Sequence, residues 1–179
     1  MNPGDKKIFA TLFLSIFTAV TGVSGSGKST LMRILATVAR PTHGTVTWNG
    51  VDVLESPDEL RGVLGYLPQD FGIYPNLNAV EFLEYMAAVK GLDRRSANQR
   101  IDELLQVVNL DNVRKHLLGG YSGGMKQRTV IAISVLLFPK VLIADEPSSA
   151  LDVTSQKMVI KMLRQLMENR YIKSLIFIT

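Results

Sequence analysis

The chain has 179 residues, 46% of them apolar and 20% charged, a balance that excludes a disordered or collagen-like polymer. One domain of this length can bury a self-sufficient core. A net charge of +4 suits an anionic ligand or a membrane surface but is far from a basic tail, and the absence of cysteine excludes disulfides, thiolate nucleophiles and thiolate metal sites.

Lys6 and Lys7 precede an apolar run over residues 8–20, followed by small residues, which imitates a secretory leader. At thirteen residues the run falls short of the roughly 20 that span a bilayer. We read its end as a buried strand over residues 16–21 that feeds a glycine-rich loop. A helix is expected from residue 29 to about 39, stopped by Arg40-Pro41, because the residue before a proline is pushed out of the helical region. Thr45 to Trp48 is β-rich, and Asn49-Gly50 is a strong hairpin-turn signal. Ser56-Pro57-Asp58-Glu59 reads as an N-cap, a first-turn proline and acids at the positive helix end. Residues 63–67 form another short strand.

Residues 72–120 change character, with helices and no strands between them. Asn78 followed by Glu81 resembles a capping box, and Gly91 is placed to end that helix. Ile101, Leu104, Leu105 and Val108 then follow helical spacing. The block reads as an insertion into an α/β frame. The frame resumes with a helix over residues 122–137 stopped by Pro139, a strand over 141–144, a helix over 153–168 with Val159, Met162, Leu163 and Leu166 on one face, and a strand over 175–178. Alternating strands and helices imply a mostly parallel sheet covered on both faces.

Gly22-Val23-Ser24-Gly25-Ser26-Gly27-Lys28-Ser29 fits the pattern G-x-x-x-x-G-K-[ST] between a strand and a helix. Its glycines let backbone amides turn inward as an anion nest, and the helix adds its positive end. Lys28 is expected to reach the β- and γ-phosphates, and the Ser29 hydroxyl to ligate Mg²⁺. The run over residues 141–144 ends in Asp145-Glu146. Asp145 is the candidate to hold Mg²⁺ through water, and Glu146 to accept the proton of an attacking water. In Tyr121-Ser122-Gly123-Gly124-Met125, Ser122 caps a helix whose first turn holds two glycines, a second cluster of amides suited to an anion. Two such clusters in one chain are most economically explained by two chains facing each other.

With these motifs in order, the sequence resembles the ATP-binding cassette (ABC) ATPases over about residues 20–179. The matching segments are Gly22 to Thr30 (Walker A), Gln69 in Tyr66-Leu67-Pro68-Gln69 (Q-loop), Tyr121 to Met125 (signature), Asp145-Glu146 (Walker B) and Ser149-Ala150-Leu151-Asp152 (D-loop). The resemblance implies an α/β P-loop NTPase fold, a mostly parallel sheet flanked by helices with an inserted α-helical subdomain. It implies one nucleotide-binding domain over residues 1–179, with its core in 16–71 and 121–179 and the helical subdomain at about 72–120. ATP and Mg²⁺ are the expected cofactors. Gly22, Ser24, Gly25, Ser26, Gly27, Lys28, Ser29 and Thr30 are expected on the nucleotide, joined by Ser122, Gly123 and Gly124 from a second copy in a head-to-tail dimer. Ser29, Gln69 and Asp145 are the implied metal set, Glu146 and Gln69 the catalytic pair, and Asp152 the link across the dimer.

The implied setting is the cytoplasmic side of the cell membrane, where the subunit is peripheral and powers transport through a partner permease. No nucleic-acid partner is expected, since +4 is modest for phosphate-backbone binding and only 7% of residues are aromatic. Two other readings are a soluble ABC ATPase without transport and a fragment that binds ATP with little turnover. Tyr121 stands where the family usually has Leu, and Met125 where it commonly has Gln. The resemblance also implies further residues at both ends: an aromatic that stacks on adenine, and a histidine directly after Thr179 whose loss impairs hydrolysis more than binding. Phe9, Phe13 and Phe17 are read as core, and His43 and His116 as surface residues. Some segments resemble drug and ion exporters and others peptide importers, so no substrate class is implied.

Overall fold

The computed structural model describes residues 17–20 and 27–178. Among the described residues, four parallel strands make the main sheet, in the order β1 (Phe17–Val20), β6 (Ser174–Ile178), β5 (Val141–Ala144) and β4 (Leu64–Leu67). All of β5 and β6 is buried, and their residues alternate between two apolar layers. Leu142, Ala144, Leu175 and Phe177 join the layer built on α3 (Ala79–Val89), α4 (Arg94–Val107), α5 (Gly123–Ser134) and α6 (Val153–Glu168). Val141, Ile143, Ile176 and Ile178 pack instead on α1 (Lys28–Leu35). Period-two alternation on a sheet covered on both faces explains why these strands read as continuous apolar runs.

The Asn49-Gly50 turn has φ of 50° and 83° and closes a hairpin of β2 (Thr47–Trp48) and β3 (Val51–Asp52), as a type I′ turn requires. Trp48 packs partly against the α1 layer. Helix α2 (Pro57–Arg61) begins at Ser56, but the Ser56 hydroxyl makes no capping bond. Asn78 and Glu81 form the full capping box of α3, and Gly91 ends that segment at φ 77°. The expected apolar stripe of α4 is buried, Ile101, Leu104, Leu105 and Val108 all at 1% exposure or less. His43 and His116 are exposed, as expected.

Two helices end before the expected residue. Helix α1 stops at Leu35 rather than near 39, because Thr37 turns left-handed at φ 59° and a Schellman pair closes the end: Thr37 N–H to the Ile34 carbonyl and Val38 N–H to that of Arg33. Arg61 grips the turn through Thr37 Oγ1 at 2.8 Å and the Thr37 carbonyl at 3.3 Å. Helix α5 stops at Ser134 rather than 137, its last turn drawn in by the Ser134 hydroxyl bonding the Ile131 carbonyl. Val135 and Leu136 then enter the core as loop residues. Gly65 on β4 lets α5 approach closely, since a Cβ there would collide with the Ser134 carbonyl.

Candidate functional site at the carboxyl ends of the strands

Because the four strands are parallel, their carboxyl ends share one edge, where α/β sheets bind ligands. Leu67, Ala144, Phe177 and Ala19 are successive partners in one row across the sheet. The residues just beyond that row therefore converge. Asp145 follows β5, Gln69 follows β4, and Lys28 and Ser29 open α1, the element next in order after β1. Gly27, the N-cap of α1, sits at φ 85° and ψ 8°, a left-handed conformation that favours glycine.

Asp145 is 2% exposed and accepts a 2.9 Å hydrogen bond from the Ser29 hydroxyl. Tyr66 Oη lies 3.5 Å from its other oxygen, and the Asp145 backbone N–H donates to the Leu67 carbonyl at 2.9 Å. Burial, then the Asp145 carboxylate, raise the Tyr66 phenol above its ordinary value, so the group stays a neutral donor. Gln69 Nε2 donates to Glu146 Oε2 at 3.2 Å. Glu146 has φ 46°, left-handed and uncommon for a non-glycine residue, and its carbonyl accepts bonds from both the Ser149 N–H and hydroxyl. Backbone strain is thus held in place beside the carboxylate.

A serine hydroxyl and a carboxylate converging on one point are hard oxygen donors of the kind that Mg²⁺ uses, often with one or two carboxylates and substrate phosphates completing its shell. Among the described residues there is no cluster of three His, Cys, Asp or Glu that would make an all-protein metal cage. The donor set fits Mg²⁺ shared with a ligand and does not fit a closed structural metal site.

Ser122 caps α5 by accepting from the Met125 N–H at 3.3 Å. Its turn lies against the start of α6. A Cβ on Gly124 would fall 2.7 Å from Ser155 Oγ, and one on Gly123 3.5 Å from Leu151 Cδ2. Asp152 caps α6 through the Thr154 and Ser155 N–H groups at 3.0 Å each, and bonding from Ser155, then Thr154, holds its carboxyl below the usual aspartate range. The Ser122–Gly124 turn makes no hydrogen bond to Ser29, Gln69, Asp145 or Glu146. Among the sequence candidates, then, Ser29 meets Asp145 and Gln69 meets Glu146. Gly27, Lys28 and Thr30 stand in the first turn of α1, whereas Gly22, Ser24, Gly25 and Ser26 lie outside the described residues.

Tyr66 was not among the candidates. Period two puts it on the α1 face of β4, but only the register against Ile143 brings it to Asp145. Similarly, the two glycines of the signature turn read as an anion nest, and their packing on Leu151 and Ser155 is a second demand on the same positions.

Comparison with known proteins agrees with this geometry. A family model described as ABC transporter matches residues 7–149. The ABC transporter ATP-binding protein YxlF of Bacillus subtilis is 41% identical over 148 residues, 83% of this chain and 48% of that one. The probable multidrug ABC transporter ATP-binding protein YbhF of Escherichia coli is 34% identical over 165 residues, 92% of this chain and 28% of that one. The chain thus spans about half the length, or less, of these curated relatives. An ATP-binding cassette solved as a dimer in a post-hydrolysis state with ADP and Pi superposes with a TM-score of 0.77 at 28% identity, covering 91% of this chain and 74% of the other. The fold is that of the P-loop NTPases in their ATP-binding cassette form, and the chain belongs to the ABC transporter family.

Proposed function

We propose that the chain is the ATP-binding and ATP-hydrolysing subunit of an ABC transporter, peripheral on the cytoplasmic face of the membrane and working through a partner permease. The observation that carries this reading is the Ser29–Asp145 hydrogen bond at the carboxyl edge of the sheet, with Glu146 next in sequence and held by Gln69. It joins the start of the helix after the phosphate loop to the end of the buried acidic strand, the juxtaposition a nucleotide triphosphate with its cation needs.

In this reading residues 22–30 cradle the phosphates, with Lys28 against the β- and γ-phosphates. Ser29, Asp145 and Gln69 hold Mg²⁺, which supplies charge neutralisation on the transferred phosphoryl group. Glu146 Oε accepts the proton of the attacking water, and the Gln69 amide orients that carboxylate. The Ser122–Gly124 turn completes the nucleotide site of a second copy. Its lack of bonds to its own chain's Ser29–Asp145 site supports that role, as does the dimeric state of the ADP-bound relative. Asp152, capping α6 beside this turn, communicates across the dimer. The whole chain acts as one nucleotide-binding domain, with the helices of residues 72–120 meeting the permease. No described helix is long and apolar enough to cross a membrane.

The test is equilibrium binding of a fluorescent ATP analogue with and without Mg²⁺. Affinity is expected to rise with Mg²⁺ and to fall at least about tenfold, roughly 1.4 kcal/mol, in Lys28→Ala. Binding that ignores both changes overturns the proposal.

A further inference from the structure

A cleft of about 500 Å³ lies at the opposite edge of the sheet, at the amino ends of β5 and β6. The length of β5 separates it from the Asp145 edge by about 13 Å. Its floor is Arg100 of α4, only 3% exposed. The Arg100 guanidinium carbon sits 4.0 Å from the Phe138 ring centre and 4.9 Å from that of Tyr171, held between two aromatic faces. One terminal nitrogen pairs with Glu103 and the other donates to the Val135 carbonyl, each at 2.9 Å. Among the described residues the Arg100 Nε–H finds no acceptor, although it is buried. A buried donor left without a partner is unfavourable, and it marks a place where an acceptor is wanted.

The charges around the cleft are unbalanced. Lys140, Arg170 and Lys173 line it beside Arg100, against the single carboxylate of Glu103. Both Glu103 oxygens are already engaged, one by Arg100 and the other by the Tyr171 hydroxyl at 2.6 Å. Among the described residues no carboxylate pairs with Lys140, Arg170 or Lys173. Three unpaired cations over a fourth that is buried and incompletely bonded, in a volume of small-molecule size, form an electrostatic trap for phosphoryl oxygens.

We infer that this cleft binds a multiply phosphorylated small molecule, at a site separate from the Walker loop. The phosphates lie among Lys140, Arg170 and Lys173, over the Arg100 guanidinium. Phe138, 58% exposed and stacked on that guanidinium, is the side chain that must shift for an acceptor to reach Nε.

The experiment is calorimetric titration of inorganic tripolyphosphate, without Mg²⁺, into the full chain carrying Lys28→Ala, so that the loop ahead of α1 does not contribute. One saturable site is expected, with affinity falling at least about tenfold on adding Lys140→Ala and Lys173→Ala. Both side chains are exposed, so circular dichroism and thermal midpoint should not move and will separate lost binding from lost folding. No saturable site, or a site that the added substitutions leave unchanged, overturns the inference. A parallel titration with phosphatidylserine vesicles distinguishes the source of phosphate. Vesicle binding that these substitutions abolish, without tripolyphosphate binding, assigns the cations to a lipid surface and also overturns it.

Discussion

Ser29 and Asp145 stand 116 positions apart in the chain, yet the serine hydroxyl donates to the aspartate across 2.9 Å. Asp145 is buried, and Tyr66 lies 3.5 Å from it, so among the described residues Ser29 supplies its one short side-chain hydrogen bond. Removing the hydroxyl leaves a buried carboxylate short of a donor. Ser29→Ala is expected to destabilise the nucleotide-free chain by about 1–3 kcal/mol. At about 2–4 °C per kcal/mol for a chain of this size, thermal unfolding resolves that loss. The same substitution in an Asp145→Ala background should lower the midpoint by much less, since the partner is gone. Equal losses in both backgrounds would dissociate the two residues.

If the proposed function holds, substituting Glu146 is expected to separate binding from turnover. Glu146→Gln keeps the shape and retains an oxygen for the Gln69 amide, but it cannot take a proton. Phosphate release is expected to fall about 10²–10⁴-fold, the usual contribution of a positioned base, while affinity for ATP is retained. With ATP bound and unspent, the nucleotide-sandwiched dimer should accumulate, and light scattering during size exclusion reads its mass. Turnover at the parent rate, or a monomer at every ATP concentration, contradicts the assignment.

Local signals carried most of the fold. Strand β5 and helix α6 have the expected boundaries because a short apolar run before two acids, and an uninterrupted helical stripe capped by Asp152, leave few alternatives. The Asn49-Gly50 turn and the Asn78–Glu81 box are legible because their chemistry is closed within four residues. The helix ends that differ depend on distant partners. Thr37 is a β-branched residue in a left-handed turn, and Arg61, 24 positions away, holds it there. Arg100 was not among the sequence candidates and is buried in an aromatic sandwich. Its spacing from Ala97, Ile101 and Leu104 put it on the apolar stripe of α4, and that was the signal available. The site was legible as a set of residues, since the resemblance grouped Ser29 with Asp145 and Gln69 with Glu146, and the fold adds which atoms of each pair bond.

Asp152 gives a pH prediction with a definite sign. Hydrogen bonds from Ser155, then Thr154, lower its pKa from an ordinary value of 3.8. A folded-state pKa below the unfolded one contributes stability that is fully present above pH 3.8 and is lost as pH falls through the depressed value. Asp152→Asn keeps an oxygen for the cap but has no charge to lose. The parent should therefore melt above the variant near neutral pH, and the gap should close as pH drops below about 4. Asp93, which caps α4 and is depressed in the same direction, is present in both proteins and cancels in the difference. A gap that persists unchanged in acid shows that the cap does not depend on ionisation.

Gly124 is constrained by the start of α6 as well as by any nucleotide. A methyl group there would stand 2.7 Å from Ser155 Oγ and 3.1 Å from Ser155 Cβ. The hydroxyl can rotate away, but the Cβ is fixed to the first turn of α6, so α5 and α6 must separate by some tenths of an ångström. Gly124→Ala is expected to lower stability by about 1–3 kcal/mol through overpacking, measured by denaturant midpoint at unchanged slope. Adding Ser155→Gly removes both clashing atoms, and it should make Gly124→Ala much less harmful than it is in the parent. ATP-driven dimerisation gives the second readout. If the glycine serves only helix packing, the double substitution restores dimer formation. If the Gly124 position must also approach a partner's phosphates, stability recovers while dimerisation stays impaired.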